Sequence, residues 1–557
     1  MVHFDEDKQN LKLKEIHDRQ EEDFLRTIAD KMGVPFINLY PSIIESDALA
    51  TLPEEKAVEG KIIPFKLNVK NLSLAIKNPN SEITQKIITD LVNQGYSPII
   101  HLISENTFKR CLEAYKDISK AKKTDSRSID ISADSISESI QTIKEIKDAN
   151  NAINDTVSKK EPNYISKILE IIMGGAIALS ASDVHLEVEA EDTRIRYRLD
   201  GELYDATRIP TKIYNLLLSR IKLISGLKLN IQKESQDGRF SIKISDRDIE
   251  IRVSIVPGGF GESIVMRLLD PKSINVPFES IGISKYLMPV IETALGKPKG
   301  MILTTGPTGS GKTTTLYGFM RKVYNPETKI MTIEDPIEYR LQGIVQTQAD
   351  DKSGYSFDSG LRAALRQDPD VIMVGEIRDE ETAKTAINAA LTGHLVFSTL
   401  HTNNAAGAFT RLIDLKINPK VLSSALTVAL AQRLVRKLCD CKKEIPLEGE
   451  NKKTIDEILN NLPKGIEIAQ REKIWQAVGC DKCHNSGYKG RIGVYEAIIS
   501  DSAIEKVIQE NPSEREIKNA GRPQGIPDMR EDVVLKILDG ITSIEEAKNK
   551  IDLSPHQ

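Results

Sequence analysis

Residues 301–316 read MILTTGPTGSGKTTTL, and the rest of the chain is interpreted from this stretch. Residues 301–303 form the short apolar run that is typical of a buried parallel strand. Gly306 to Thr313 then match the pattern G-x-x-x-x-G-K-[ST] at every fixed position. The glycines allow a tight bend that brings backbone N–H groups against phosphate oxygens. Residues 313–323 predict a helix whose positive N-terminal end faces those oxygens, so the stretch predicts a nucleoside triphosphate site.

The loop assigns a role to particular side chains. Lys312 is expected to reach the β- and γ-phosphates, and the Thr313 hydroxyl is expected to ligate Mg²⁺. A chance glycine-rich turn is the alternative, but the order strand, loop, helix argues against it. The predicted nucleotide-binding residues are Gly306, Pro307, Thr308, Gly309, Ser310, Gly311, Lys312, Thr313 and Thr314.

Composition narrows the class of protein. A chain of 557 residues is too long for one core and predicts several domains. Its 76 basic and 81 acidic residues give a net charge of −5, and no basic stripe interleaved with aromatics is found, so nucleic acid is not an expected partner. No apolar run approaches the roughly 20 residues of a membrane span, and the first residues are too charged for a signal peptide. Five cysteines do not make a disulfide framework, which predicts a cytoplasmic protein.

Periodicity and composition divide the chain into four parts. Residues 1–117 predict a small N-terminal α/β module, and residues 118–162, rich in Ser, Asp, Lys and Asn, predict a flexible linker in which residues 133–150 could form a helix. Residues 163–285 predict a middle α/β domain. Residues 286–557 predict the motor domain, in which apolar strands at 330–333, 371–374 and 395–398 lie between helical patterns. That alternation predicts a mostly parallel sheet covered on both faces, and the segment after about 485 is expected to be helical.

Acidic residues follow two of the predicted strands. Glu376 comes just after strand 371–374, where phosphate-loop enzymes place the Mg²⁺ and the attacking water. Glu334, Asp335 and Glu338 follow strand 330–333 and could orient water and metal, although a solvated acidic loop would look the same.

Two histidines, His394 and His401, flank the next predicted strand. Imidazoles at such positions could sense the γ-phosphate. A single histidine at a strand end is more often structural, so both interpretations remain open.

Four of the five cysteines form two close pairs, Cys439/Cys441 and Cys480/Cys483. Four thiolates from two short loops would make a tetrahedral structural zinc site, within a subdomain of about residues 436–496. The first pair is C-x-C, one residue shorter than C-x-x-C, which strains ligation by both sulfurs. His484 could replace one of them, and four buried thiols without metal are the alternative.

Several motifs together resemble the GspE/PulE/PilB family of secretion and pilus assembly ATPases. Four of them occur in that family's order: the Walker A loop GPTGSGKTTT, the Asp box TIEDPIEY, the Walker B stretch DPDVIMVGEIRD and the His box TGHLVFSTLHTNNA. The similarity extends to ASDVHLEVE, QDGRFSI, PGGFGESIVMRLLD, QRLVRKLC, GRIGVYE and MREDVVLKILDGITSIEEA. It covers residues 160–550 strongly and residues 20–117 weakly.

The resemblance implies roles for individual residues. Glu338 would polarise the attacking water, and Glu376 would hold Mg²⁺ through water. His394 and His401 would couple the γ-phosphate to neighbouring elements. Arg252 and Arg267 match arginines that reach a nucleotide in such proteins, and a cross-strand charge pair is the alternative for them.

The resemblance also implies an architecture and a function. It implies a RecA-like motor domain, a PAS-like middle domain, and ATP, Mg²⁺ and structural Zn²⁺ as cofactors. The expected protein is a homo-hexameric motor that powers type IV pilus assembly. It would be attached peripherally to the inner membrane through a platform protein, to which the N-terminal module docks. Type II protein secretion is the alternative, and a DNA-translocating ATPase is the alternative from another class. Some relatives bind cyclic di-GMP through a Gly- and Arg-bearing repeat near the start of this module, and no such repeat is found in residues 11–33.

Overall fold

The computed structural model divides the chain into two compact units, residues 1–131 and 132–557. No helix among the described residues is long and apolar enough to cross a membrane. The described residues are 25–26, 29, 31, 33–39, 44, 48–49, 51–68, 71–93, 95–112, 115, 133–159, 163–244, 247–271, 277–350, 353–468 and 470–554.

The first unit is built on a small mixed sheet. Its elements are α1 (Glu54–Gly60), β1 (Ile62–Asn68), β2 (Asn71–Ile76), α2 (Glu82–Asn93) and β3 (Ser97–Leu102). The strand order is β1-β2-β3, with β1 antiparallel and β3 parallel to β2. Apolar side chains of β2 and α2, together with Cys111, are buried in a common core. Cys111 is therefore a packing residue that lies in a different unit from the four other cysteines.

The second unit begins with two helices where the sequence predicted part of a flexible linker. Helices α3 (Ala133–Thr142) and α4 (Ile146–Lys159) both contact α5 (Tyr164–Ala178). Ile136 and Ile153 are fully buried because the few apolar residues of this polar segment recur at helical spacing. A methyl group on Gly174 of α5 would lie 2.5 Å from Cβ of Ser139, so the helices pack closely. The prediction of a linker over 118–162 is therefore wrong for 133–159.

An antiparallel sheet forms the middle of the chain. Its elements are β4 (Asp183–Val188), β5 (Asp192–Leu199), β6 (Glu202–Pro210), α6 (Thr211–Ile224), β7 (Gln236–Ile244), β8 (Arg247–Pro257) and β9 (Glu262–Leu269). The order is β6-β5-β4-β9-β8-β7, and every neighbouring pair is antiparallel. Strand β5 alternates between buried and half-exposed residues, which is the pattern of a strand with one face on the core. Its less buried face carries arginines.

The motor part has a larger, mostly parallel sheet, which confirms the predicted α/β, RecA-like fold class. The elements are α7 (Met288–Leu295), β10 (Gly300–Thr305), α8 (Lys312–Val323), β11 (Ile330–Glu334), β12 (Val345–Gln348), α9 (Phe357–Leu365), β13 (Val371–Val374), α10 (Glu380–Leu391), β14 (Leu395–Leu400), α11 (Ala405–Asp414), α12 (Pro419–Ala425), β15 (Leu426–Leu438), β16 (Lys443–Pro446), α13 (Gly449–Asn460), β17 (Lys473–Gln476), β18 (Tyr488–Ile499), α14 (Ser502–Glu510), α15 (Glu514–Gly521), α16 (Met529–Leu538) and α17 (Ile544–Lys550). The strand order of the sheet is β12-β11-β13-β14-β10-β15-β18; the first six are parallel and β18 is antiparallel to β15.

The strand β18 corrects the prediction that the segment after about 485 is helical. Residues 488–499 pair with β15 along its length, and helices begin only at Ser502. Strand β15, with the sequence LTVALAQRLVRKL, is rich in residues that favour helices. Its conformation is set by pairing with β10 and β18, which local propensity does not report.

The direction of the parallel strands decides where the functional residues meet. Strands β10, β11, β13 and β14 all end at the same edge of the sheet, because their residues pair in parallel register. Segments that follow these strands therefore lie side by side, at the edge where ligands bind in open α/β sheets.

Candidate active site

The phosphate loop leaves the end of β10 and enters α8. Its glycines at 306, 309 and 311 have φ values of +148°, +78° and +89°, which favour glycine. A Cβ on Gly306 would lie 2.6 Å from the carbonyl oxygen of Gln432, and a Cβ on Gly311 would lie 2.8 Å from its Nε2. Strand β15 thus packs so closely on the loop that only glycine fits at these two positions.

Lys312 is the first residue of α8, and its ammonium group lies at the phosphate loop. Its Nζ donates to the carbonyl oxygens of Gly306 and Pro307, at 2.9 and 3.1 Å. Burial lowers the pKa of Lys312, the charge of Glu376 opposes this effect, and Arg433 adds to it. The lysine is therefore a desolvated cation, which strengthens its attraction for phosphate oxygens.

Glu376 and His401 are brought together by the parallel register of β13 and β14. Glu376 lies two residues beyond β13 and His401 directly follows β14. His401 Nε2 lies 2.9 Å from Glu376 Oε2, and Arg378 forms an ion pair with Oε1 of the same carboxylate. The site thus places an imidazole against the carboxylate that is predicted to bind Mg²⁺.

Of the three carboxylates that follow Thr332, one is structural. Glu334 is buried, and it accepts hydrogen bonds from Tyr317, from Thr332 Oγ1 at 2.5 Å and from Gln346 Nε2 at 3.1 Å. Burial raises the pKa of Glu334, and the three donors counteract that rise. Because both carboxylate oxygens of Glu334 already accept hydrogen bonds, Asp335 and Glu338 remain the candidate catalytic carboxylates of this segment.

Glu338 is held by a residue of the middle sheet. Arg252 of β8 places Nη1 3.4 Å from Glu338 Oε2, and its Nη2 donates to the carbonyl oxygen of Ile337. Arg252 therefore reaches this site within one chain, through a contact between the middle sheet and the loop that follows β11 of the motor part. The guanidinium fixes the loop that carries Glu338.

Arg267 of β9 reaches the site from the same sheet as Arg252. Its side chain is 59% exposed, and its Nε lies 3.0 Å from Asp183 Oδ1. The middle sheet is also tied to the motor part at the turn between β5 and β6. There the N–H of Gly490 donates to Asp200 Oδ2 at 2.8 Å, and Lys550 pairs with Glu202 at 2.9 Å.

These residues surround one cleft of about 940 Å³, which is within the usual size range of ligand sites. Most of the predicted site residues line it, from both the motor part and the middle sheet: Pro307 to Thr314, Glu338, Glu376, His401 and Arg267. The structure therefore gathers cationic loop groups, carboxylates, an imidazole and an arginine around a single volume.

His394 is a predicted site residue that the structure places far from the cleft, whereas Arg252 and Gly306 do not line the cleft but contact residues that do. His394 precedes β14, so it lies at the opposite edge of the sheet, one strand length or about 20 Å from His401. Its Nδ1 lies 3.0 Å from the carbonyl oxygen of Ala389, and its own carbonyl accepts from the N–H of Gly300. His394 therefore has a structural position in this chain, and a role for it at the γ-phosphate stays a prediction that its position does not support.

Sequence reasoning missed Arg433, which the structure places beside the phosphate loop. A Cβ on Gly306 would lie 3.2 Å from Arg433 Nη1. Its guanidinium donates to the carbonyl oxygens of Gln432, at 3.1 Å, and Asn403, at 2.9 Å. Burial lowers the pKa of Arg433. The motif QRLVRKLC contains this residue, but its proximity to the loop depends on the unpredicted strand β15.

The four paired cysteines converge on one point. All four sulfur atoms lie within 4.8 Å of one another, with Cys439–Cys480 and Cys441–Cys483 distances of 3.8 Å and a Cys480–Cys483 distance of 3.7 Å. Zn–S bonds of about 2.3 Å in a tetrahedron require sulfurs about 3.8 Å apart. Burial raises the pKa of the Cys441 thiol to about 12. Burial also acts to raise the pKa of Cys483, but hydrogen bonds from the N–H groups of Cys480 and Gly487 lower this pKa to about 7. The donor set fits a zinc ion.

His484 is not part of this cluster. Among the described residues, the cluster with metal-ligating geometry contains the four cysteines and no histidine. The C-x-C spacing of Cys439 and Cys441 therefore places both sulfurs correctly without a substitute.

The fold and the cleft define a phosphate-loop nucleotide hydrolase with a RecA-like sheet. The family model for type II/IV secretion system proteins matches residues 158–549, and the MshEN domain model matches residues 32–122. The chain therefore belongs to the type II/IV secretion system protein family, as the resemblance predicted. Members of this family are ATP-hydrolysing enzymes, which confirms the predicted enzyme class.

Named relatives come from both branches of the family. Type II secretion system protein E of Aeromonas hydrophila is 43% identical over 393 residues, covering 70% of this chain and 76% of the relative. The type IV pilus assembly ATPase PilB of Myxococcus xanthus is 35% identical over 523 residues, covering 93% and 89%. The type IV pilus assembly ATPase TfpB of Acinetobacter baylyi is 34% identical over 533 residues, covering 95% and 88%.

Proposed function

We propose that this chain is the ATP-hydrolysing motor of type IV pilus assembly. The observation that carries the proposal is the extent of the similarity. The pilus assembly relatives of Myxococcus xanthus and Acinetobacter baylyi match 93% and 95% of the chain, whereas the secretion relative of Aeromonas hydrophila matches 70%. The longer matches take in the N-terminal region, which is the part through which a motor of this kind would dock onto its machine.

A type II secretion motor is the second candidate. It is favoured by the higher identity of the secretion relative, 43% over 393 residues, against 35% over 523 residues for the pilus relative of Myxococcus xanthus. A DNA translocase has less support, because the net charge is −5 and the family match is to secretion proteins.

The proposed mechanism divides the reaction among residues of the cleft. Lys312 and the N–H groups of the glycine loop bind the phosphates of ATP. Glu338 accepts a hydrogen bond from the attacking water and orients it toward the γ-phosphorus. Thr313 and Glu376 would hold Mg²⁺, which supplies positive charge to the phosphate oxygens. His401 fixes the Glu376 carboxylate through the 2.9 Å contact.

The arginines of the middle sheet complete the proposed site. Arg267, exposed on the cleft wall, neutralises charge that develops on the transferred phosphoryl group. Arg252 holds the loop of Glu338. Because both arginines belong to the middle sheet, a change in the phosphate charge would alter the attraction between the middle and motor parts. That attraction is the proposed origin of mechanical work.

The cysteine cluster has a proposed structural role as a zinc site. Four sulfurs at tetrahedral distances leave no open coordination position, which is the arrangement of structural rather than catalytic zinc. The ion would join Cys439 and Cys441, at the end of β15, to the segment of Cys480 and Cys483 that leads into β18.

The assembly proposed is a homo-hexamer on the cytoplasmic face of the inner membrane. It would attach peripherally, through a platform protein of the pilus machine that the N-terminal module contacts. The support for these statements is membership of the family and the exposure of Arg267 at the cleft.

Genetic complementation tests the proposed function. A strain of the host that lacks this gene would be complemented with the natural chain or with Lys312→Ala as the matched inactive control. We expect surface pili to be lost in the deletion strain, restored by the natural chain and not by the variant, with the secreted proteins unchanged. Normal pili together with a lost set of secreted proteins would instead establish the secretion motor.

A further inference from the structure

Antiparallel register places a row of charged residues across the middle sheet. Asp183 of β4 lies directly opposite Arg198 of β5 on one side and Arg267 of β9 on the other. Arg267 in turn lies opposite Arg252 of β8, and Arg252 lies opposite Arg239 of β7. Directly paired residues share one face of a sheet, so this row carries four arginines and one carboxylate.

Such a row is costly in the absence of an anion. Like charges directly opposite each other in neighbouring strands destabilise a sheet, and the row contains two adjacent Arg–Arg pairs. Arg252 relieves part of the repulsion by pairing with Glu338 of the motor part. Arg198 and Arg267 instead line the cleft that contains the phosphate loop. A surface of this charge fits the triphosphate of the nucleotide that the cleft is proposed to bind.

Asp183 is the group that these two arginines share. Its side chain is only 7% exposed, although it lies beside a cleft. Oδ1 is 3.0 Å from Arg267 Nε, Oδ2 is 3.3 Å from Arg198 Nε, and Ser182 Oγ donates to Oδ2 at 2.8 Å. A buried carboxylate with both oxygens engaged by two guanidinium groups fixes the direction of both side chains.

The contacts with Asp183 use the inner side of each guanidinium, because Asp183 meets both arginines through Nε. No other hydrogen bond of Arg267 is found among the described residues, so within that part of the chain its two Nη groups are available to a ligand. Arg198 is held further by the carbonyl oxygen of Gly201, which accepts from Nη1 at 3.1 Å, and by His185, whose Nε2 lies 3.4 Å from Nη2.

We propose that Asp183 is a positioning residue that holds Arg198 and Arg267 against the phosphoryl group during hydrolysis. The inference rests on the proposed function, because it assigns Arg267 to that group and adds Arg198 to it. Asp183 touches neither substrate nor metal in this account. Its effect on turnover passes through the two arginines, whose terminal nitrogens meet the charge that develops in the transition state.

The test compares Asp183→Asn with a matched control, Glu187→Gln. Glu187 lies on the same strand and face as Asp183 and pairs with Arg196 at 2.7 Å, but it does not line the cleft. The primary readout is binding of ADP with aluminium fluoride, a mimic of the transferred phosphoryl group, relative to ADP alone. We expect Asp183→Asn to weaken the aluminium fluoride complex by about 10-fold or more with ADP affinity nearly unchanged, and to lower the melting temperature because a buried carboxylate paired with two arginines is lost. Glu187→Gln is expected to behave as the natural chain.

Coupling to the arginines separates positioning from a general structural role. In an Arg198→Ala/Arg267→Ala background, Asp183→Asn is expected to change the binding of the aluminium fluoride complex by less than about 2-fold. An equal loss in both backgrounds would overturn the proposal, and so would unchanged binding in the single variant. If Asp183→Asn does not fold, Asp183→Glu keeps the charge but moves it by one methylene, and the same comparison applies. A natural chain without ATPase activity would reject the proposed function, whereas an active natural chain with an unaffected Asp183→Asn would reject only this inference.

Discussion

Binding and chemistry are assigned to different side chains of the cleft. Lys312 and the loop N–H groups are the proposed binding part, and the loop packs closely against Gln432. Glu338 and Glu376 occupy two separate loops, after β11 and β13. Substitutions at the two carboxylates should therefore have distinguishable effects.

The first prediction separates Glu338 from Glu376. Glu338→Gln should retain ATP binding and lose turnover by roughly 10²-fold or more, because an amide cannot accept the proton of water. Glu376→Gln should lower turnover and also raise the Mg²⁺ concentration needed for half-maximal activity. Steady-state hydrolysis over a Mg²⁺ titration, with equilibrium nucleotide binding, measures both effects. The reverse pattern would show that the two roles are exchanged.

Some site residues could be predicted from sequence because their neighbours along the chain define them. The phosphate loop contains its own strand, glycines and helix, and Glu376 follows an apolar run that is unmistakably a buried strand. His394 lies away from the cleft for a geometric reason: a residue before a parallel strand lies at the opposite edge of the sheet. Strand direction alone would have predicted this separation.

Other parts of the site could not be predicted, because they depend on pairing between distant segments. Gln432 and Arg433 reach the loop only because β15 lies beside β10 in the sheet. Asp183 meets Arg198 and Arg267 only in one register of three strands. Neither periodicity nor motif spacing contains that information, since a one-residue slip would place these side chains on opposite faces.

At the scale of elements, the cysteine cluster joins segments that come from different parts of the motor. Cys439 follows β15 directly, and Cys483 precedes β18, its antiparallel partner. The single tryptophan of the chain, Trp475, belongs to the adjacent strand β17 and has the Nζ atom of Lys442 5.4 Å from its ring centroid. Its fluorescence should therefore report on the packing of this region.

The second prediction concerns metal content. Purified protein that has never met a chelator should contain about one zinc ion per chain, and Cys480→Ser/Cys483→Ser should contain none. Metal removal should also shift the fluorescence of Trp475. Elemental analysis measures the content, and Cys111→Ser is the matched control because that thiol lies in the other unit. Absence of zinc from the natural chain would reject the site.

At the scale of the whole molecule, the third prediction is that activity depends on assembly. If rings complete the site, specific ATPase activity should rise with protein concentration and reach a plateau when light scattering reports a hexamer. Arg267→Ala should lower turnover by roughly 10³-fold with little loss of ATP affinity, because its contact is made to the transferred phosphoryl group. Full activity from a monomer would contradict the ring.

ATP hydrolysis at the phosphate loop is the central claim, and a single comparison tests it most directly. Steady-state phosphate release would be measured for the natural chain and for Lys312→Ala, with and without Mg²⁺, after circular dichroism has shown that both are folded. The account predicts Mg²⁺-dependent hydrolysis by the natural chain and background rates for the variant, because removal of the Nζ charge abolishes its contact with the β- and γ-phosphates. Equal turnover by the two proteins would contradict it.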